Sequence, residues 1–170
     1  MPTVALAHSP VDAKVSAEVI DLGNGLAEDY VKDQGKVKGK IALVYLGVLE
    51  GSPAGTPRLH RSEKAAIAIE NGAIGVIIIN TVKNNVLLTG TASVTGKLII
   101  VPAVCIGLED GTRVKEALKS QQQFAEINMK NFSGMIKARN VVATLKGTAL
   151  PKEKIVVGGH LDSWDLATGA

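Results

Sequence analysis

The chain has 170 residues, 46% hydrophobic and 3% aromatic, with a net charge of +3 from 19 basic and 16 acidic side chains. That length holds one full domain with room for part of another, and an interior this poor in rings must be filled by Val, Ile, Leu and Ala, which suits strands packed on small-residue helices. The small charge excess and the scarcity of rings to stack on bases exclude a nucleic-acid partner, and no apolar window reaches the ~18–20 residues that span a bilayer.

The opening MPTVALAHSPVDAK lacks a basic stretch followed by a long apolar one, so as it stands it is no secretory signal. Residues 15–21 alternate with the period of a half-buried strand, and Gly23-Asn24-Gly25 then turns the chain. Those glycines echo a dinucleotide loop only weakly, because Glu28 at the third position would set a negative charge against a pyrophosphate. The basic stretch from Lys32 through Lys36 and Lys38 to Lys40 carries Gly35 and Gly39 and reads as a solvated loop before a strand.

Ile41-Ala42-Leu43-Val44-Tyr45-Leu46 is almost wholly apolar and predicts a central strand covered on both faces. Residues 47–57 form a Gly- and Pro-rich loop, residues 62–72 a short helix with an Ala-rich face, and residues 74–80 a second buried strand. Residues 82–97 are a loop or hairpin excursion. Residues 98–106 predict a third strand, with Pro102 demoting its middle to an edge or a bulge because proline cannot donate to the ladder. A helix follows from Gly107 to about Lys119, and residues 124–129 and 141–145 predict two further strands.

Cys105, the single cysteine, lies in an apolar run and reads as a buried, inert thiol. His8 and His60 sit in Pro-flanked segments with no carboxylate at ligand spacing and read as surface residues. No G-x-S-x-G elbow occurs. The boundary falls between residues 130 and 138, giving an α/β domain over 1–131 and a fragment over 132–170 with too little apolar surface for a core of its own. That fragment must lean on the first domain or on further chain.

The fragment carries the chemistry. Ile155-Val156-Val157 predicts a strand running through Gly158-Gly159 into His160-Leu161-Asp162, and the period of two puts the imidazole and the carboxylate on one side of an extended backbone. One His and one Asp do not complete a catalytic zinc site, which takes three protein ligands and an open position. Trp164 is either a cleft wall or simply exposed, and Asp165 either supports the site or caps the next turn.

Taken together, these segments resemble a protease-associated domain running into the start of an M28-type zinc peptidase domain. Arg139-Asn140-Val141-Val142-Ala143-Thr144-Leu145-Lys146-Gly147 resembles the strand that opens the peptidase sheet, and Gly159-His160-Leu161-Asp162-Ser163-Trp164-Asp165 resembles its first metal motif, nearest the carboxypeptidase Q branch. Gly39-Lys40-Ile41-Ala42-Leu43-Val44, Lys64-Ala65-Ala66, Gly75-Val76-Ile77-Ile78 and Val101-Pro102-Ala103-Val104 resemble elements of the protease-associated domain. The resemblance implies a swivelling β/β/α fold with a mixed, open-barrel sheet and short helices. It implies that His160 binds one of two zinc ions of an intact parent, that Asp162 is the nearby catalytic carboxylate, and that the remaining ligands lie downstream of Ala170. This chain alone is then expected to be inactive and to hold no zinc. The partners implied are a peptide substrate and the rest of the peptidase domain, and the location secreted or periplasmic. The alternatives are a free-standing interaction module, in which the His-x-Asp ending is incidental, and a small flavodoxin-like cofactor enzyme.

Overall fold

The computed structural model describes residues 1–32, 35–150 and 152–161. In chain order its elements are β1 (Thr3–Ala5), β2 (Asp12–Asp21), α1 (Ala27–Lys32), β3 (Ile41–Tyr45), α2 (Arg61–Glu70), β4 (Gly75–Ile79), β5 (Ala103–Ile106), α3 (Leu108–Ser120) and β6 (Gln123–Lys130). The six strands form one sheet in the order β1-β5-β4-β3-β2-β6. β2 to β5 run parallel, and β1 and β6 close the two sides antiparallel to their neighbours.

The apolar runs become central strands because both faces need covering. Ala42, Val44, Val76, Ile78, Ala103 and Cys105 point to one face, where they pack with Tyr30 of α1 and with Ala65 and Ala68 of α2. Ile41, Leu43, Ile77, Ile79, Val104 and Ile106 point to the other, where they meet Val19, Ile127 and Met129 and, from α3, Val114 and Leu118. The ten-residue β2 pairs with β6 from Asp12↔Lys130 to Val19↔Gln123, while only its end, Val19 to Asp21, also pairs with β3. This long strand carries β6 around, so that β6 and β1 line opposite walls of one cleft of about 600 Å³ and the sheet is an open barrel. The expected mixed α/β fold is therefore the observed one.

Several boundaries differ from the sequence reading. Pro102 makes neither an edge nor a bulge: it stands just before β5, an interior strand between β1 and β4, and its carbonyl accepts from Val76 N–H at 2.9 Å. Residues 98–102 of the expected strand therefore lie outside β5. The expected strands at 141–145 and 155–157 do not form; Val141, Val142, Leu145, Ile155, Val156 and Val157 are all exposed. β1 and α1 are elements that the pattern did not predict, three and six residues long.

Local chemistry fixes the connections. Gly25 has φ +67°, and a Cβ there would stand 2.8 Å from Val44 Cγ1, so the turn after β2 packs onto β3 only with glycine. Asn24 ties that turn to the next loop, donating to Ser52 Oγ at 2.9 Å and accepting from Leu49 N–H at 2.7 Å. His60 is a helix cap: its ring accepts from Ser62 N–H while the Glu63 carboxylate accepts from His60 N–H at 2.7 Å. His8 is half-buried with φ 67°, and its Nδ1 lies 2.8 Å from Thr91 Oγ1.

Candidate functional site

The expected metal residue His160 is exposed and directly follows Gly158-Gly159, in a stretch without regular secondary structure. Asp162, Trp164 and Asp165 lie outside the described residues. Among the described residues no group of three or more His, Cys, Asp or Glu side chains could hold a metal ion. One imidazole does not meet the three-ligand requirement of a catalytic zinc, so the described residues do not fit that metal by themselves.

The carboxyl ends of β2 to β5 are where an open parallel sheet usually receives a ligand, at the point where strand order reverses. Here β2, β3, β4 and β5 lie in sequential order, so no reversal and no nucleotide crevice is built among them. Among the described residues the flavodoxin-like alternative therefore has no switch-point crevice between these strands. The polar groups at that end hold the chain instead. Asp21 accepts from Gly23 N–H at 3.0 Å and pairs with Lys115 of α3 at 3.1 Å. Lys64, fully buried, donates to Tyr45 O at 2.5 Å and Gly47 O at 2.9 Å, so its ammonium ties off the carbonyls that leave β3. Burial pulls that ammonium down to about 8, against a smaller upward pull from Asp29.

The excursion after β4 is held in the same way. Asn84 and Asn85 both have positive φ, and their N–H groups donate to the Glu109 carboxylate at 2.7 and 2.6 Å. Those two bonds hold the exposed carboxyl below its ordinary range. Arg61 donates to Thr89 O, and Asn80 to Val86 O at 2.6 Å. Cys105 is buried, and burial pushes its thiol up, which makes it a poor nucleophile as expected.

The cleft between β1 and β6 is lined by apolar residues that include Val19, Ile77, Val104, Ile106 and Val114, and its polar lining is Thr3, Gln123, Glu126 and Asn128. It contains no nucleophile paired with a base. Sequence reasoning missed Lys64 and His60, which anchor and cap α2. A lysine within an Ala-rich stretch and a His-x-x-Glu spacing were the available signals.

Against known families, residues 11–114 match the model of the PA domain. Over 116 residues, 65% of this chain and 24% of the relative, the chain is 27% identical to carboxypeptidase Q of Mus musculus. It is similar to the aminopeptidase from Aneurinibacillus sp. strain AM-1, with TM-score 0.59 and 25% identity over 77% of this chain and 28% of that one. It is also similar to BSAP, a zinc aminopeptidase from Bacillus subtilis, with TM-score 0.51 and 30% identity over 73% of this chain and 26% of that one. The chain thus spans about a quarter of the length of these relatives.

Proposed function

The chain belongs to the PA domain family, and from that premise we propose that residues 1–131 are the non-catalytic protease-associated domain of an M28-type zinc exopeptidase and residues 132–170 the first segment of its peptidase domain. The domain covers or shapes access to the peptidase cleft. The intact protein hydrolyses terminal peptide bonds with zinc-activated water, is secreted or periplasmic, and receives from this segment His160 as one zinc ligand and Asp162 as the carboxylate beside it. Its partners are the peptide substrate and the rest of the peptidase domain.

One observation carries this reading: the apolar segment Ile155-Val156-Val157, which forms no strand and stays exposed here, leads through Gly158-Gly159 into His160. Exposed Val and Ile in such density need another surface to bury them. The polar groups at the carboxyl ends of the parallel strands also support a positioning role, since Asp21, Lys64 and Glu109 are engaged in holding loops. Two aminopeptidase structures, one of them a zinc aminopeptidase, in which the matched region makes up only about a quarter of the chain are compatible with a domain that sits beside a catalytic one.

Zinc stoichiometry and hydrolysis of a dipeptide panel, measured on this chain and on His160→Ala, test the proposal. The expected result is no bound zinc and no turnover in either. Stoichiometric zinc with turnover that the substitution abolishes would place a complete catalytic site within these 170 residues and overturn it.

A further inference from the structure

The root of the tail is fixed to the domain at a defined place. Asn131 N–H donates to Val11 O at 2.6 Å, and Asn131 Nδ2 donates to Pro10 O at 2.9 Å. Three residues earlier, His8 O accepts from Ile99 N–H at 2.8 Å. At most about 11 Å of backbone separates His8 from Val11, so the 98–100 segment and the point where the chain leaves β6 are anchored to the same short stretch, residues 8–11.

Exposed apolar side chains flank both anchor points. Ile100 is 82% exposed, Val11 and Leu98 are exposed as well, and Phe132 follows the anchored Asn131 directly. Their neighbour Ile99 faces inward against the core, so the segment is firmly seated and presents Leu98 and Ile100 outward on either side of it. Scattered single apolar residues on a surface need no explanation, but several exposed on the short segments around a chain exit do.

We infer that Val11, Leu98, Ile100 and Phe132 form the surface on which the polypeptide downstream of the tail packs. This rests on the proposed reading and adds to it the face of the PA domain that meets its peptidase. The occupant follows from chain geometry. The tail starts within this patch, and the relatives have about three-quarters of their length outside the matched region. A tethered domain meets the surface at its own attachment point at high effective concentration, so modest apolar burial suffices to hold it.

Thiol accessibility tests the inference, because the native Cys105 is buried and an introduced cysteine is the reactive one. Ile100→Cys and, as a control on α1, Val31→Cys (71% exposed in the native residue) are made in this chain and in the full-length gene product. Maleimide alkylation at each position is followed by mass spectrometry, and zinc content is measured on the same full-length samples. The expected result is that position 100 reacts at least about tenfold more slowly in the full-length product while position 31 is unchanged. Equal rates at position 100 in a zinc-loaded full-length product would overturn this face and leave the peptidase reading standing. A gene product ending at Ala170, or a longer one without zinc, would remove that reading and the inference with it. Protection that rises with the concentration of the 170-residue chain would assign the patch to a second copy and overturn the inference.

Discussion

β4 and residues 155–157 are built from the same kinds of residue and end in opposite states. Gly75–Ile79 pairs on both sides and is buried throughout, with Ile78 1% exposed, whereas Ile155-Val156-Val157 forms no ladder and Val156 is 88% exposed. Propensity for extended structure is the same in both; partners are not. A strand is a property of its neighbours more than of its own sequence, because β-branched side chains gain by packing on adjacent strands and covering faces.

The sharpest way to break this comparison is to truncate one apolar side chain in each region. Ile78→Ala removes packed volume from the core face and is expected to cost about 2–5 kcal/mol in urea unfolding. Val156→Ala removes exposed atoms and is expected to change stability by less than about 0.5 kcal/mol. Equal losses would mean that the tail is buried in solution.

A somewhat smaller effect is expected where α3 meets the sheet. A Cβ at Gly111 would stand 2.3 Å from Ile79 Cγ2, and Ile79 is itself packed in the core, so Gly111→Leu pries the helix away. The expected destabilisation is about 1–3 kcal/mol, read as a lowered unfolding midpoint with unchanged slope.

Lys64 gives a pH-dependent version of the contrast. Its ammonium titrates near 8 in the fold and near its ordinary 10.5 when unfolded, so between those values the unfolded chain binds more protons and stability rises with pH. Cys105 acts in the opposite direction above its ordinary 9.0, since burial raises its thiol. Comparing the native chain with Lys64→Met cancels that contribution. The destabilisation caused by Lys64→Met is expected to grow by about 1 kcal/mol from pH 7 to pH 9. A difference independent of pH would mean that the ammonium is solvated.

The parts of the fold legible in the sequence are those whose pattern is set by burial alone. The runs at 41–46 and 74–80 became β3 and β4, and the Ala-rich face around Ala65 and Ala68 became the packed side of α2. β1 was not legible because three residues carry no period; its strand state comes from pairing with β5. α1 is too short for a helical repeat and is held by Tyr30 in the core. The strands expected at 141–145 and 155–157 failed for the converse reason, having pattern but no partner. Of the candidate site, His160 stood out through the motif around it. The capping role of His60 was hidden because the ring of a histidine, and not a hydroxyl, accepts the helix N–H.

The contrast between the two regions is tested most directly by comparing thermal unfolding of residues 1–131 with that of the whole chain. The account predicts one cooperative transition in both, at the same midpoint within about 2 °C, because the described tail residues beyond Asn131 are exposed. A shorter chain that melts far lower, or loses cooperativity, would show that the tail is part of the core and would contradict the separation on which the proposed function stands.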